Sequence, residues 1–213
     1  MNVLAINGSP RKKWNTAMML EKALEGAASK GAKTDIVHLY DLKFTGCKSC
    51  FACKTKNGKS YGKCAVKDDL TAVLKKALEA DAVIIGSPIY FCSITGETKS
   101  FLERFLFPYF EYSMPPKSIA PKKINTAFIY TMNDSEELMK LMGNDKHLGI
   151  YQFLTQMVFG SCESLSSFET LQFEDYSKIV FNYVDPAVRI KRREEVFPQD
   201  LQNAFNLGAR LVG

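Results

Sequence analysis

The segment that most constrains this chain is a short apolar strand that runs directly into a loop of glycine, hydroxyl and basic residues. Asn2–Asn7 is predicted to be a buried strand, and Gly-Ser-Pro-Arg-Lys-Lys-Trp-Asn-Thr follows at positions 8–16. A helix is expected to begin there, so backbone N–H groups, hydroxyls and the Arg11 charge would converge on one point. A phosphate group is best suited to such a point. The alternative is a purely structural role, an ordinary turn in which Asn15 or Thr16 caps the helix.

The spacing of the loop narrows the kind of phosphate ligand. The G-x-x-x-x-G-K-[ST] pattern of a P-loop is absent from residues 8–16, and so is the G-x-G-x-x-G pattern of a dinucleotide turn. Among phosphate ligands, the loop therefore favours a mononucleotide over ATP or a dinucleotide.

Strand and helix patterns alternate along the chain. Strands are predicted at Asn2–Asn7, Thr34–Leu39, Ala82–Gly86, Lys122–Thr131 and Ser164–Phe173. Helices are predicted at Asn15–Lys30, from Asp68 to about Ala80, at Gly96–Phe107, at Glu136–Phe159 and from Pro198 onward. This alternation indicates an α/β fold, a three-layer doubly wound sheet of five parallel strands. Residues 1–213 are expected to form a single domain.

Composition excludes several classes of function. A net charge of +5 is too small to indicate nucleic-acid binding. No run approaches the roughly 20 apolar residues of a membrane span, and the N-terminal segment lacks the features of a signal peptide. We therefore expect a cytoplasmic protein without a nucleic-acid or membrane partner.

A second loop, Gly86–Ser93, follows the third predicted strand. In a doubly wound sheet it faces the first loop across the point where strand order reverses, which is where such sheets bind ligands. Pro88 fixes the turn, and the rings of Tyr90 and Phe91 can flank a planar ligand. The alternative is that both rings simply pack beneath the loop.

Three motifs together resemble the flavodoxin-like NADPH-dependent FMN reductases: G-S-P-R-x(3)-N-T after strand one, G-S-P-I-Y after strand three, and T-G-E-T-K-S-F-L-E-R in the next helix. The cysteine segment and V-F-P-Q-D-L-Q-N-A-F-N-L-G-A-R-L resemble the branch that includes iron–sulfur flavoproteins. The resemblance implies strand order 2-1-3-4-5 and bound FMN. By position, it implies phosphate contacts from Ser9, Arg11, Asn15 and Thr16, and ring contacts from Pro88, Ile89, Tyr90, Phe91, Thr131, Met132 and Asn133. Lys13 and Trp14 depart from the small residues usual there, and the role of Trp14 stays open.

Four of the six cysteines lie close together, as C-x2-C-x2-C at Cys47, Cys50 and Cys53 and then Cys64 after ten residues. Such a set can hold a 4Fe-4S cluster, a zinc ion or a redox disulfide, or the thiols can be structural. The cluster-bearing relatives are more compact between the third and fourth cysteine than this chain, so these alternatives remain open.

The basic run at 189–193 is expected to be a solvated helix face, and neither His38 nor His147 is assigned a role.

The resemblance implies an FMN-dependent oxidoreductase in which NAD(P)H reduces a flavin, a quinone or a similar small acceptor, with the chain forming a homodimer or a higher homo-oligomer. The chemistry then belongs to the flavin, and no catalytic acid or base is expected. One alternative is an electron carrier that exchanges electrons with ferredoxin through a 4Fe-4S cluster. Another is a flavin-binding or redox-sensing module without enzyme activity.

Overall fold

The computed structural model covers residues 1–213 and contains one principal sheet with helices on both faces. The strands are β1 Asn2–Asn7, β2 Lys33–His38, β3 Ala82–Tyr90, β4 Ser93–Ile94, β5 Phe110–Glu111, β6 Lys117–Ser118, β7 Ile124–Thr131 and β8 Gly160–Ser167. The helices are α1 Asn15–Ser29, α2 Leu70–Glu79, α3 Gly96–Leu106, α4 Glu136–Leu141, α5 Asn144–Phe159, α6 Pro186–Glu195 and α7 Phe197–Arg210. None of the helices is both long and apolar enough to cross a bilayer.

The five long strands are parallel and run in the order β2-β1-β3-β7-β8. This is the predicted 2-1-3-4-5 order once the two-residue strands are set aside, so the α/β prediction is confirmed. The first five residues of β3, Ala-Val-Ile-Ile-Gly, are buried on both faces, as an interior parallel strand requires. One core lies beneath α2, α3 and α5, and the other lies beneath α1 and α7.

Two predicted boundaries are wrong. The fifth long strand spans Gly160–Ser167 rather than Ser164–Phe173, because its parallel register pairs Gly160 with Ile124 and Ser167 with Thr131. The predicted helix at Glu136–Phe159 is two helices, interrupted at Gly143, whose φ of 71° lies in the left-handed region that glycine adopts readily. Because the fifth long strand ends at Ser167, the residues that follow it form a loop rather than a strand.

Helices α1 and α7 pack backbone against backbone through two glycines. A Cβ atom built on Gly26 would lie 1.9 Å from the carbonyl oxygen of Phe205, and one built on Gly208 would lie 1.7 Å from that of Ala23. Neither distance leaves room for a methyl group. This close approach fixes the position of α1 against the sheet.

We predict that Gly208→Ala lowers the free energy of unfolding by about 3 kcal/mol, because the new methyl group forces the helices apart. The matched control is Gly149→Ala in α5, where no atom lies within 4 Å of the added Cβ. The control should raise stability by about 0.5–1 kcal/mol, since alanine favours a helix over glycine. Urea unfolding measures both, and equal midpoints for the two variants would contradict the packing described.

Candidate functional site

The loops that leave the carboxyl ends of β1, β3, β7 and β8 enclose a cavity at the point where strand order reverses. The cavity is lined by Ser9, Arg11, Trp14, Asn15, Thr16, Pro88, Ile89, Tyr90, Thr131, Met132, Asn133, Thr170, Leu171, Gln172 and Phe173. Ten of the eleven residues singled out in the sequence for FMN contact lie in this lining. Its volume of about 110 Å³ is below the roughly 300–1,000 Å³ usual for ligand pockets.

The start of α1 lies in this cavity without a cap. Trp14 occupies the N-cap position and makes no side-chain capping hydrogen bond, and the first turn contains no acidic residue. The first residues of the helix, Asn15 and Thr16, are 5% and 2% exposed. The backbone N–H groups of Asn15, Thr16 and Ala17 have no acceptor within the chain. The positive end of the helix dipole is therefore free to bind an anion.

Side-chain donors in the first loop bind backbone carbonyls of the loop after β8. Asn15 Nδ2 donates to the carbonyl oxygen of Leu171 at 2.8 Å, and Trp14 Nε1 donates to the same oxygen at 3.0 Å. Arg11 Nη1 donates to the carbonyl oxygen of Gln172. These donors thus converge on oxygen atoms at one end of the cavity. The same groups would suit phosphate oxygens.

Two further hydrogen bonds hold the first loop in shape. Ser9 Oγ accepts a hydrogen bond from the Arg11 backbone N–H at 3.1 Å, which fixes the turn. The hydroxyls of Thr16 and Thr131 lie 2.8 Å apart and join the first loop to the loop after β7. The sequence predicts roles for these residues but not this contact between them.

The other end of the cavity is formed by the last residues of β3. Pro88, Ile89 and Tyr90 line it, and the Tyr90 side chain is half-exposed. Phe91, which the resemblance also placed at the ring, is absent from this lining. Phe91 and Cys92 form the two-residue turn between β3 and β4, with left-handed φ values of 47° and 64°, and this turn directs the Phe91 ring fully into solvent.

The basic run in α6 was expected to face solvent, and that expectation is wrong for its three arginines. Arg189 is buried, the Arg192 side chain is 13% exposed and pairs with Asp200 at 2.6 Å, and Arg193 is half-buried. Arg193 Nη1 donates to Asn15 Oδ1 at 2.7 Å, and its guanidinium carbon lies 4.1 Å from the Phe197 ring centroid. Because Asn15 Oδ1 is engaged in this way, the Nδ2 donor of Asn15 is turned toward the cavity. Burial, and then the neighbouring Arg192, lower the pKa of Arg193, although a guanidinium stays charged.

Arg189 supports the loop after β7 in the same manner. It is 2% exposed, donates from Nε to Asn133 Oδ1 at 2.9 Å and from Nη2 to the Asn133 carbonyl oxygen at 3.0 Å. Its Nη1 forms an ion pair with Glu169 at 2.9 Å. The sequence offers little signal for either arginine, because the contacts join segments far apart in the chain.

The four clustered cysteines line a second, smaller cavity against α3. Cys47 and Cys50 are exposed, Cys64 is half-buried and Cys53 is buried. The cavity volume is only about 20 Å³, and no group of three or more His, Cys, Asp or Glu side chains in the chain is arranged to hold a metal ion. In this arrangement the thiols share a cavity without forming a closed metal site.

Two cationic side chains hold the cysteine segment on α3. Arg104, which is 2% exposed, donates from Nε to Cys64 Sγ at 3.3 Å and forms an ion pair with Asp68 at 2.5 Å. Lys54 donates to the carbonyl oxygens of residues 107, 108 and 110 just beyond the end of α3. Burial raises the pKa of the Cys53 thiol, against the lowering effect of the adjacent Lys54 charge.

The fold and the position of the main cavity are those of flavodoxin-like α/β proteins, which bind ligands at the strand-order switch point. Residues 1–124 match the family model for NADPH-dependent FMN reductase. This chain therefore belongs to the NADPH-dependent FMN reductase family, a family of flavoprotein oxidoreductases.

An iron–sulfur flavoprotein of Archaeoglobus fulgidus is 43% identical over 104 residues, which cover 49% of this chain and 48% of that protein. The chain spans about half the length of the curated relatives it matches.

Solved structures share the fold at low sequence identity. An NAD(P)H:quinone oxidoreductase from Methanothermobacter marburgensis superposes with a TM-score of 0.70 at 14% identity, covering 99% of this chain and 98% of that chain. An FMN-dependent NADH-azoreductase from Bacillus anthracis in complex with FMN superposes with a TM-score of 0.65 at 12% identity, covering all of both chains.

We predict that Arg193→Leu weakens FMN binding about tenfold, because Asn15 loses the partner that orients its amide. Lys191→Leu is the matched control, since Lys191 lies on the same helix, is exposed and makes only a 3.9 Å ion pair with Glu195. Quenching of flavin fluorescence measures both affinities, with circular dichroism to confirm folding. Equal affinities in the two variants would show that Asn15 does not depend on Arg193.

Proposed function

We propose that this chain is an FMN-dependent oxidoreductase that uses NAD(P)H to reduce a flavin, a quinone or a similar small acceptor. The observation that carries the proposal is the uncapped, buried start of α1 within a cavity that four loops form at the switch point. An anionic group belongs at one end of this cavity and a planar group at the other. FMN has both, and the family membership of the chain supports FMN independently.

The phosphate end would be built from Ser9, Arg11, Asn15 and Thr16. The guanidinium, the amide and the free N–H groups of the first helical turn supply charged and neutral donors suited to phosphate oxygens. Because Arg11 and Asn15 bind carbonyl oxygens of residues 171 and 172 in this structure, phosphate would take the place of those carbonyls. The loop at 170–173 would move outward, which also enlarges the cavity.

The ring end would be built from the second and third loops. Pro88, Ile89 and Tyr90 offer one wall, and Thr131, Met132 and Asn133 offer the edge. When bound, the flavin ring supplies hydride and single-electron transfer. The half-exposed Tyr90 leaves this end of the cavity open to a small electron donor or acceptor.

The task of the protein is to bind and orient rather than to transfer protons. No histidine and no carboxylate lines the cavity, and Arg11 and Tyr90 are its titratable members. His38 lies outside it, with Nδ1 2.9 Å from Asn7 Nδ2 behind the first loop.

We also propose that residues 1–213 act as one FMN-binding unit that forms a homodimer. A groove between α3 and α5 is lined mainly by apolar side chains, including those of Phe107, Phe110 and Leu154. Tyr112 also lines this groove, and its side chain is exposed. A second copy of the chain is the occupant that the family resemblance favours.

A second candidate function is electron transfer with ferredoxin through a 4Fe-4S cluster. The observation in its favour is that Cys47, Cys50, Cys53 and Cys64 all line one cavity. The cavity is too small for a cluster as it stands, so the long segment between Cys53 and Cys64 would have to rearrange. For this reason we place it second.

We predict that anaerobically purified protein binds FMN, contains no iron, and loses its visible flavin absorbance when NADPH is added. Cys47→Ser should bleach as the unaltered protein does, because the thiols take no part in the proposed reaction. About four irons per chain, with flavin that stays oxidised in NADPH, would favour the electron carrier instead. A protein that binds no added FMN would contradict both candidates.

A further inference from the structure

Two hydrogen bonds of Asn7 connect the edge strand β2 to the first loop. Asn7 Nδ2 lies 2.9 Å from His38 Nδ1, and the Ser9 backbone N–H donates to Asn7 Oδ1 at 2.9 Å. Asn7 and His38 are partners in the register of the parallel β1–β2 pair. Ser9 Oγ in turn accepts from the Arg11 backbone N–H. A hydrogen-bonded path therefore runs from His38, outside the main cavity, to two residues of the proposed phosphate end.

The contact with Ser9 fixes which way the Asn7 amide points. A backbone N–H can only donate, so the Asn7 atom that faces Ser9 must be the carbonyl oxygen Oδ1. The amide nitrogen Nδ2 is thereby turned toward His38, and it also can only donate. His38 Nδ1 must therefore be an acceptor. It has no proton, and the ring proton of His38 lies on Nε2.

Water has little access to these contacts. Asn7 is fully buried, and Ser9 is 4% exposed. A buried polar group that loses its partner bears the cost of its desolvation without compensation. The shape of the first loop at Ser9 therefore depends on one imidazole nitrogen that is free of a proton.

A proton on His38 Nδ1 would set two donors against each other. If the Asn7 amide turned over to offer Oδ1 to His38, its Nδ2 would face the Ser9 N–H, which is also a donor. If the imidazole moved away instead, Asn7 Nδ2 would be left buried without a partner. Either change weakens the contact that holds Ser9 and, through it, Arg11. Histidine is the side chain whose charge ordinarily changes between about pH 5 and pH 8.

No other charged group takes part in this contact. His38 lies on the face of β2 that α1 covers, and it forms no ion pair and no side-chain hydrogen bond except that with Asn7. Asp41 pairs with Lys12 at 2.7 Å, and Glu25 pairs with Lys22 at 2.6 Å. A change of charge on His38 therefore acts on the first loop through Asn7. The charged residues of the first loop, of α1 and of the turn after β2 are Arg11, Lys12, Lys13, Glu21, Lys22, Glu25, Lys30 and Asp41.

We propose that His38 is a positioning residue for the first loop, acting through Asn7, and that it does so only while Nδ1 is free of a proton. FMN then binds more weakly in mildly acidic solution for a reason that belongs to the protein as well as to the ligand. The inference rests on the proposed flavin site and adds to it a proton-dependent control from outside the cavity.

The test compares His38→Asn with His38→Leu. Asparagine can place its Oδ1 atom near the position of the imidazole Nδ1 and does not titrate, so it should hold Asn7 at every pH. Leucine offers no acceptor and leaves Asn7 Nδ2 unpaired. The control is His147→Asn, which removes the second of the two histidines. His147 Nε2 lies 3.5 Å from Ser93 Oγ, and neither residue lines the main cavity.

FMN affinity is measured by flavin fluorescence at about pH 8 and at about pH 5.5, with circular dichroism to confirm folding. The FMN phosphate itself takes up a proton with a pKa of about 6, which weakens binding in every variant alike. At the higher pH, His38→Asn should bind FMN within about twofold of the unaltered protein, and His38→Leu about tenfold more weakly. At the lower pH, the unaltered protein and His147→Asn should both bind about tenfold more weakly than His38→Asn.

Nitrogen NMR of the flavin-free His147→Asn variant, in which His38 is the remaining histidine, gives a second readout. At about pH 8 the proton should lie on Nε2, with Nδ1 bare. At about pH 5.5 the Ser9 N–H should exchange with solvent faster than in the His38→Asn variant.

A proton on Nδ1 at the higher pH would overturn the inference, and so would the same pH dependence of FMN affinity in the unaltered protein and in His38→Asn. Failure of every form to bind FMN would instead contradict the proposed flavin site. In that case the NMR signals and the Ser9 exchange rate would still decide whether His38 positions the first loop.

Discussion

The start of α1 lies at the carboxyl ends of β1, β3 and β7, and no side chain neutralises its positive charge. The rest of the site depends on that position. On one side, α7 holds α1 at backbone contact through Gly26 and Gly208, which leaves the helix no freedom to shift. On the other, the Thr16–Thr131 contact ties the helix start to the loop after β7.

The C-terminal part of the chain completes the main cavity, which the loops after β1 and β3 begin. Residues 170–173 close one side of the main cavity, and α6 places Arg193 behind Asn15 and Arg189 behind Asn133. The family match ends at residue 124, so these supports lie outside it. They explain how loops rich in small residues hold a defined shape.

The strand order and most of the cavity lining could be predicted from the sequence, because hydrophobic periodicity and loop motifs are local signals. The register of β8 could not, since it is set by pairing with β7 rather than by its own composition. The same holds for the burial of Arg189 and Arg193, whose charges suggest solvent unless their distant partners are known. Phe91 lies outside the lining because a two-residue turn reverses the chain immediately after Tyr90.

A crystal structure of the FMN complex tests the central claim most directly. The account predicts phosphate oxygens about 3 Å from the first N–H groups of α1 and from Arg11 and Asn15, with the carbonyls of residues 171 and 172 released. The ring should lie between Pro88–Tyr90 and residues 131–133. FMN bound elsewhere, with Arg11 still on the Gln172 carbonyl, would contradict the account.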